Sequence, residues 1–86
     1  MKTDGIKNYL EEKIANWYAY AKADYGVDGR LLDVKTDKEH LLITWKENGE
    51  KFLTTIGWYE DYTLEQIYDI WQMGCDGAGV LCEKVA

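Results

Sequence analysis

Two thiols, one imidazole and sixteen carboxylates are the groups in this 86-residue chain from which acid–base, nucleophilic or metal chemistry would have to be built. Cys75 and Cys82 stand in a Cys-x6-Cys spacing that matches no zinc or redox pattern, and His40 is the only residue available to join them. A Cys–His couple would also need a third group to orient the base, and nothing in the spacing supplies one. Reduced, buried thiols are the expectation, with a disulfide between them as the alternative. Carboxylate pairs occur, such as Glu60 with Asp61 and Glu65 with Asp69, but general acid–base work needs one member raised by burial, and these fall on a polar stripe. Asp76-Gly77-Ala78-Gly79 follows a helix and lacks the lysine of a phosphate-cradling loop, and no acid cluster has calcium-loop spacing. The chain contains no Ser, hence no serine nucleophile, and no Pro. No catalytic residue, metal or cofactor is expected.

Binding is what remains. Nucleic acid is a poor ligand for this composition. The sheet bases Lys35, Lys38, Lys46 and Lys51 have acids nearby, and Arg30 is the single arginine. The net charge is -6 and unevenly spread. Residues 1–51 hold nine bases and ten acids; residues 52–86 hold Glu60, Asp61, Glu65, Asp69, Asp76 and Glu83 against Lys84 alone. Such a field repels nucleic acid and anionic membrane and attracts basic surfaces. An acidic face also keeps a small protein in solution, which is its commoner use.

The segment 58–71 concentrates the binding potential. Trp58, Tyr59, Tyr62, Tyr68 and Trp71 are interleaved with Glu60, Asp61, Glu65 and Asp69. Tyr and Trp dominate interface hot spots, and acids around them steer a basic partner into place. Asp61, Glu65 and Asp69 are four apart, and helical order puts Glu65 and Asp69 on one face about 6 Å from each other. A ladder of carboxylates at that pitch imitates a nucleic-acid backbone. Some of these aromatics must also fill the centre of the domain; Tyr59 and Tyr62 are the pair expected at the surface. The candidate partner-binding residues are therefore Tyr59, Glu60, Asp61, Tyr62, Glu65, Asp69 and Asp76.

The elements that position them can be read along the chain. Residues 4–25 form an amphipathic helix with Ile6, Leu10, Ile14, Trp17, Ala21 and Tyr25 on one stripe, Thr3 or Asp4 at its start and Gly26 after its last turn. Residues 30–36 alternate as a strand with Leu32 and Val34 inward. Strands 40–47 and 50–57 follow, joined by Asn48-Gly49, whose demand for positive φ at both positions makes a tight hairpin. That turn sets Trp45 opposite Phe52, Ile43 opposite Thr54 and Leu41 opposite Ile56. This face must lie under the helix, while Leu42 and Leu53 point away from it. Thr63-Leu64-Glu65-Gln66 is a capping box opening a helix that runs to Met73 and stops at Gly74. Residues 80–85 suit a short last strand. The expected fold is α+β: a long N-terminal helix, a three-stranded antiparallel meander, a C-terminal helix and that last strand. At 47% hydrophobic and 30% charged, residues 1–86 make one domain that buries about 60% of its unfolded surface.

In size, acidity and element order the chain is similar to small phage-encoded anti-CRISPR proteins. The residues carrying the likeness are the hairpin Leu41-Leu42-Ile43-Thr44-Trp45-Lys46-Glu47-Asn48-Gly49-Glu50 and the acidic, aromatic stretch Trp58 to Trp71, under half the chain and with no diagnostic motif. The resemblance implies inhibition by occlusion, without catalysis. Immunity proteins that neutralise toxic nucleases look similar on the same grounds. The expected function is thus an acidic antagonist of a basic nucleic-acid-handling protein such as an effector or nuclease. No direct nucleic-acid or membrane contact is expected. The start Met1-Lys2-Thr3-Asp4-Gly5 has no apolar run behind it, so the cytoplasm is the expected compartment (a host's cytoplasm for a phage protein). The competing expectation is a homo-oligomeric scaffold subunit, such as a homodimer, pairing through Leu42 and Leu53 or through the edge strand 30–36.

Overall fold

A row of apolar residues three and four apart, Ile6, Leu10, Ile14, Tyr18 and Ala21, winds Thr3–Tyr25 into helix α1 and is buried along its length. The computed structural model describes residues 3–74 and 79–85. The buried row corrects the expected stripe. From Ile14 it steps four residues to Tyr18, so Trp17 packs only at the margin of the core and tilts against Tyr20 at 5.7 Å. Tyr25, in the last turn, is 68% exposed. Gly26 follows at φ 71°, the left-handed geometry that ends a helix without a Cβ clash. The Thr3 hydroxyl hydrogen-bonds that of Thr36, tying the first turn of α1 to the sheet.

Four strands follow: β1 (Gly29–Asp37), β2 (His40–Glu47), β3 (Glu50–Gly57) and β4 (Val80–Val85). They pair antiparallel in the order β1-β2-β3-β4, so the meander has four strands where three were expected. Asn48 (φ 51°) and Gly49 (φ 85°) make the β2–β3 turn, and the register is the one the dipeptide dictates, with Trp45 opposite Phe52 and Leu41 opposite Ile56. The Trp45 and Phe52 rings stack at 4.6 Å. In β1 the register with β2 shifts between Leu31 and Asp33, a bulge that leaves Leu32 as the extra residue. Leu31, not Leu32, therefore packs against the core beside Val34. The bulge bends one sheet edge. At the other edge Lys84 takes the helix-side register position opposite Phe52 and pairs with Glu50. A charged side chain on the edge strand and a bulge are both devices that discourage edge-to-edge pairing.

Helix α2 (Leu64–Met73) lies on the same sheet face as α1. Its Trp71 sits edge-on to Tyr18 at 5.9 Å and to Trp45 at 5.4 Å, and Ile67 joins Ile6, Leu10, Ile14, Leu41, Ile43 and Ile56 in one core. The architecture is two-layer α+β, two helices on one face of a four-stranded sheet. Strand alternation puts Leu42, Leu53 and Leu81 on the other face; Leu81 is 56% exposed.

Candidate functional site

The site begins with a backbone inversion where β3 ends. Alternation from buried Ile56 would send Trp58 inward and Tyr59 outward. Trp58 instead adopts φ 56° and ψ 39°, the left-handed region. The turn reverses the sequence of faces: Trp58 is 64% exposed and Tyr59 is buried. The expectation of a surface Tyr59 is corrected accordingly. Tyr59 opens a short 3-10 turn, Tyr59–Asp61, and its N–H donates to the Glu39 carbonyl in the β1–β2 turn. Bulky residues seldom adopt positive φ, so the side-chain types around Trp58 carry no mark of this inversion.

Tyr62 returns to extended backbone and Thr63 caps α2. The Thr63 hydroxyl accepts from the Gln66 N–H at 3.1 Å, and the Gln66 side chain accepts from the Thr63 N–H at 2.8 Å. This box fixes where the helix starts and hence which way its acids point. Ile67 and Trp71 turn into the core while Glu65 and Asp69 remain exposed, one turn apart, along with Glu60 and Asp61 of the preceding turn. Tyr62 is half-buried. With Ile6, Tyr59, Glu60 and Ile67 it lines a recess of about 250 Å³. Of the seven candidate partner-binding residues, four acids stand exposed on one contiguous segment, Tyr62 is partly exposed and Tyr59 is in the core. Asp76 lies outside the described residues, as does Cys75. Trp58 is the surface aromatic that side-chain pattern alone misses.

Among the described residues the ion pairs are Lys7–Asp33 and Lys84–Glu50, so Glu60, Asp61, Glu65 and Asp69 have no cationic partner there. Their field is felt locally. Burial pushes the Tyr68 hydroxyl above its ordinary range, and the Asp69 carboxylate and Tyr9 push it further.

No chemistry assembles around the thiol and imidazole. His40 is on the uncovered sheet face, whereas Cys82 is on the helix-side face, where its Sγ accepts the Thr54 hydroxyl. A Cys82–His40 couple would have to cross the sheet. Among the described residues no group of three or more His, Cys, Asp or Glu is placed to hold a metal ion, and no helix is long and apolar enough to cross a membrane. No protein family, curated protein or solved structure matches this chain.

Proposed function

We propose that this protein is a small acidic antagonist that occupies the nucleic-acid-binding surface of a basic protein, in the manner of anti-CRISPR or nuclease-inhibitor proteins. The observation carrying the reading is the row Glu60, Asp61, Glu65 and Asp69, exposed and without an ion pair among the described residues, beside the exposed Trp58. Unneutralised carboxylates on a helix and on the turn before it offer a phosphate-gripping surface what it was built to hold, and an adjacent indole supplies apolar contact and a face for Arg or Lys. In this reading the chain acts by occupancy, without catalysis and without touching nucleic acid itself. Occlusion makes a distinctive demand: the captured partner must bind either this protein or its nucleic acid, never both. A gel-shift competition with the captured partner tests it. Displacement of the oligonucleotide by this protein supports occlusion, and a ternary complex contradicts it.

A second reading is a homo-oligomer joined through the uncovered sheet face. What favours it is β4, which adds exposed Leu81 to Leu42 and Leu53 on that face. The edge-strand version is disfavoured by the bulge in β1 and the charged Lys84 in β4. Sedimentation at rising protein concentration separates the readings: a monomer at 100 μM excludes a stable oligomer.

A further inference from the structure

Three cations oppose one another across the sheet. Arg30 of β1 is the register partner of Lys46 of β2, and Lys46 is the register partner of Lys51 of β3. Alternation puts all three on the uncovered face, and neither ion pair among the described residues involves them. Like charges directly opposite in an antiparallel pair destabilise it, so this register is held against its own repulsion.

A notch of about 280 Å³ adjoins the row, lined by Asp28, Gly29, Arg30, Lys46, Asn48 and Gly49. Its walls are tied together. The Asn48 N–H donates to the Asp28 carbonyl at 2.7 Å, and the Asp28 N–H donates to Asn48 Oδ1 at 3.1 Å. Gly29 is clamped so closely that a Cβ there would lie 2.5 Å from the Lys46 carbonyl oxygen and 2.6 Å from the Tyr18 ring. The notch is preformed, and paired residues about 4.5–5.5 Å apart at Cα let Arg30 and Lys46 reach one group.

We propose that this notch binds a phosphate group. Arg30 and Lys46 line the notch against the single Asp28 carboxylate, and Lys51 stands beside it as the strand partner of Lys46, so this corner carries a net positive charge that favours an anion. Arg30 offers a planar fork for two phosphate oxygens and Lys46 a point charge beside it. The overall charge of -6 works against indiscriminate anion binding and leaves this corner as the place a phosphate is drawn. The phosphate can belong to a small ester or to a phosphorylated side chain of another protein.

Amide NMR of the full chain tests the site, with inorganic phosphate, a phosphoserine peptide and its unphosphorylated form titrated separately at constant ionic strength. Saturable shifts at Gly29, Arg30, Asn48 and Gly49 are expected, with loss of at least tenfold in affinity for Arg30→Gln and for Lys46→Gln. A phosphopeptide binding tenfold tighter than phosphate assigns the source to a protein; equal affinities assign it to a free ester. Because Lys46→Gln removes repulsion, its Tm without phosphate should be unchanged or higher. Shifts that never saturate, that spread over every lysine-bearing segment, or that persist in both variants overturn the proposal.

Discussion

The indole N–H of Trp45 donates to the Thr54 hydroxyl at 2.9 Å, and that hydroxyl donates in turn to Cys82 Sγ. One buried threonine thereby joins β2, β3 and β4 beneath the helices. Thr54 is 1% exposed, so its polar atoms have no water to fall back on. Thr54→Val strands the Trp45 donor and should cost roughly 1–3 kcal/mol. Trp45→Ala also removes the Phe52 stack and the Trp71 contact and should cost roughly 3–5 kcal/mol. Urea denaturation of both variants checks the order, and an unaltered midpoint for Trp45→Ala would mean the wrong sheet face is taken as buried.

Tyr18 supplies a pH dependence. Its hydroxyl donates to Glu47 Oε1 at 2.8 Å. Burial first, then that hydrogen bond and the Glu47 charge, raise its pKa far above the unfolded value of 10.0. A raised folded pKa means the native state keeps a proton that the unfolded chain releases. The contribution is therefore complete below pH 10 and is lost as pH climbs beyond it, by up to about 1.4 kcal/mol per pH unit. Wild type minus Tyr18→Phe, measured by denaturation at pH 8, 10 and 11, should show a difference that is flat to about pH 9.5 and then shrinks. A difference that stays constant to pH 11 would contradict the Tyr18–Glu47 hydrogen bond.

The inversion at Trp58 predicts opposite outcomes for neighbouring aromatics. Trp58→Gly replaces a bulky residue at φ 56° with one that adopts this geometry freely, so thermal stability should hold or rise. Tyr59→Ala empties a core position and should cost about 3–5 kcal/mol. Differential scanning calorimetry of the pair settles which ring is inside; the reverse order would restore simple alternation.

Gly29→Ala tests a close approach that does not depend on glycine's left-handed freedom. The added methyl would meet the Lys46 carbonyl and the Tyr18 ring, and overpacking of this kind costs roughly 1–3 kcal/mol. A Tm fall of at least about 4 °C is expected. No change would show that β1 can move away from Tyr18.

What was legible in the sequence was whatever depended on near neighbours. Asn48-Gly49 specified the hairpin register residue by residue, because one turn type fits and a period of two leaves no slack. Thr63 and Gln66 announced the start of α2 for the same local reason. The misses came where backbone geometry changed with no marker in the side chains. The bulge at Leu32 exchanged one leucine for its neighbour, and left-handed Trp58 exchanged one aromatic for another. In α1, Trp17 and Tyr18 are adjacent and both large, and which one faced inward was decided by the sheet beneath the helix. The acids of the candidate site were legible because exposed charge needs no tertiary context. The aromatic beside them was not.

Association kinetics of the acidic face test the central claim most directly. Asp61→Asn, Glu65→Gln and Asp69→Asn together keep side-chain shape and remove three charges from exposed positions, so the melting temperature should stay within about 2 °C of wild type. Long-range attraction by these charges predicts that the triple variant associates with its basic partner at least tenfold more slowly at low salt. Wild-type association should slow as salt approaches 0.5 M, where screening shortens to about 4–5 Å. An on-rate indifferent to both the triple change and the salt would contradict the account.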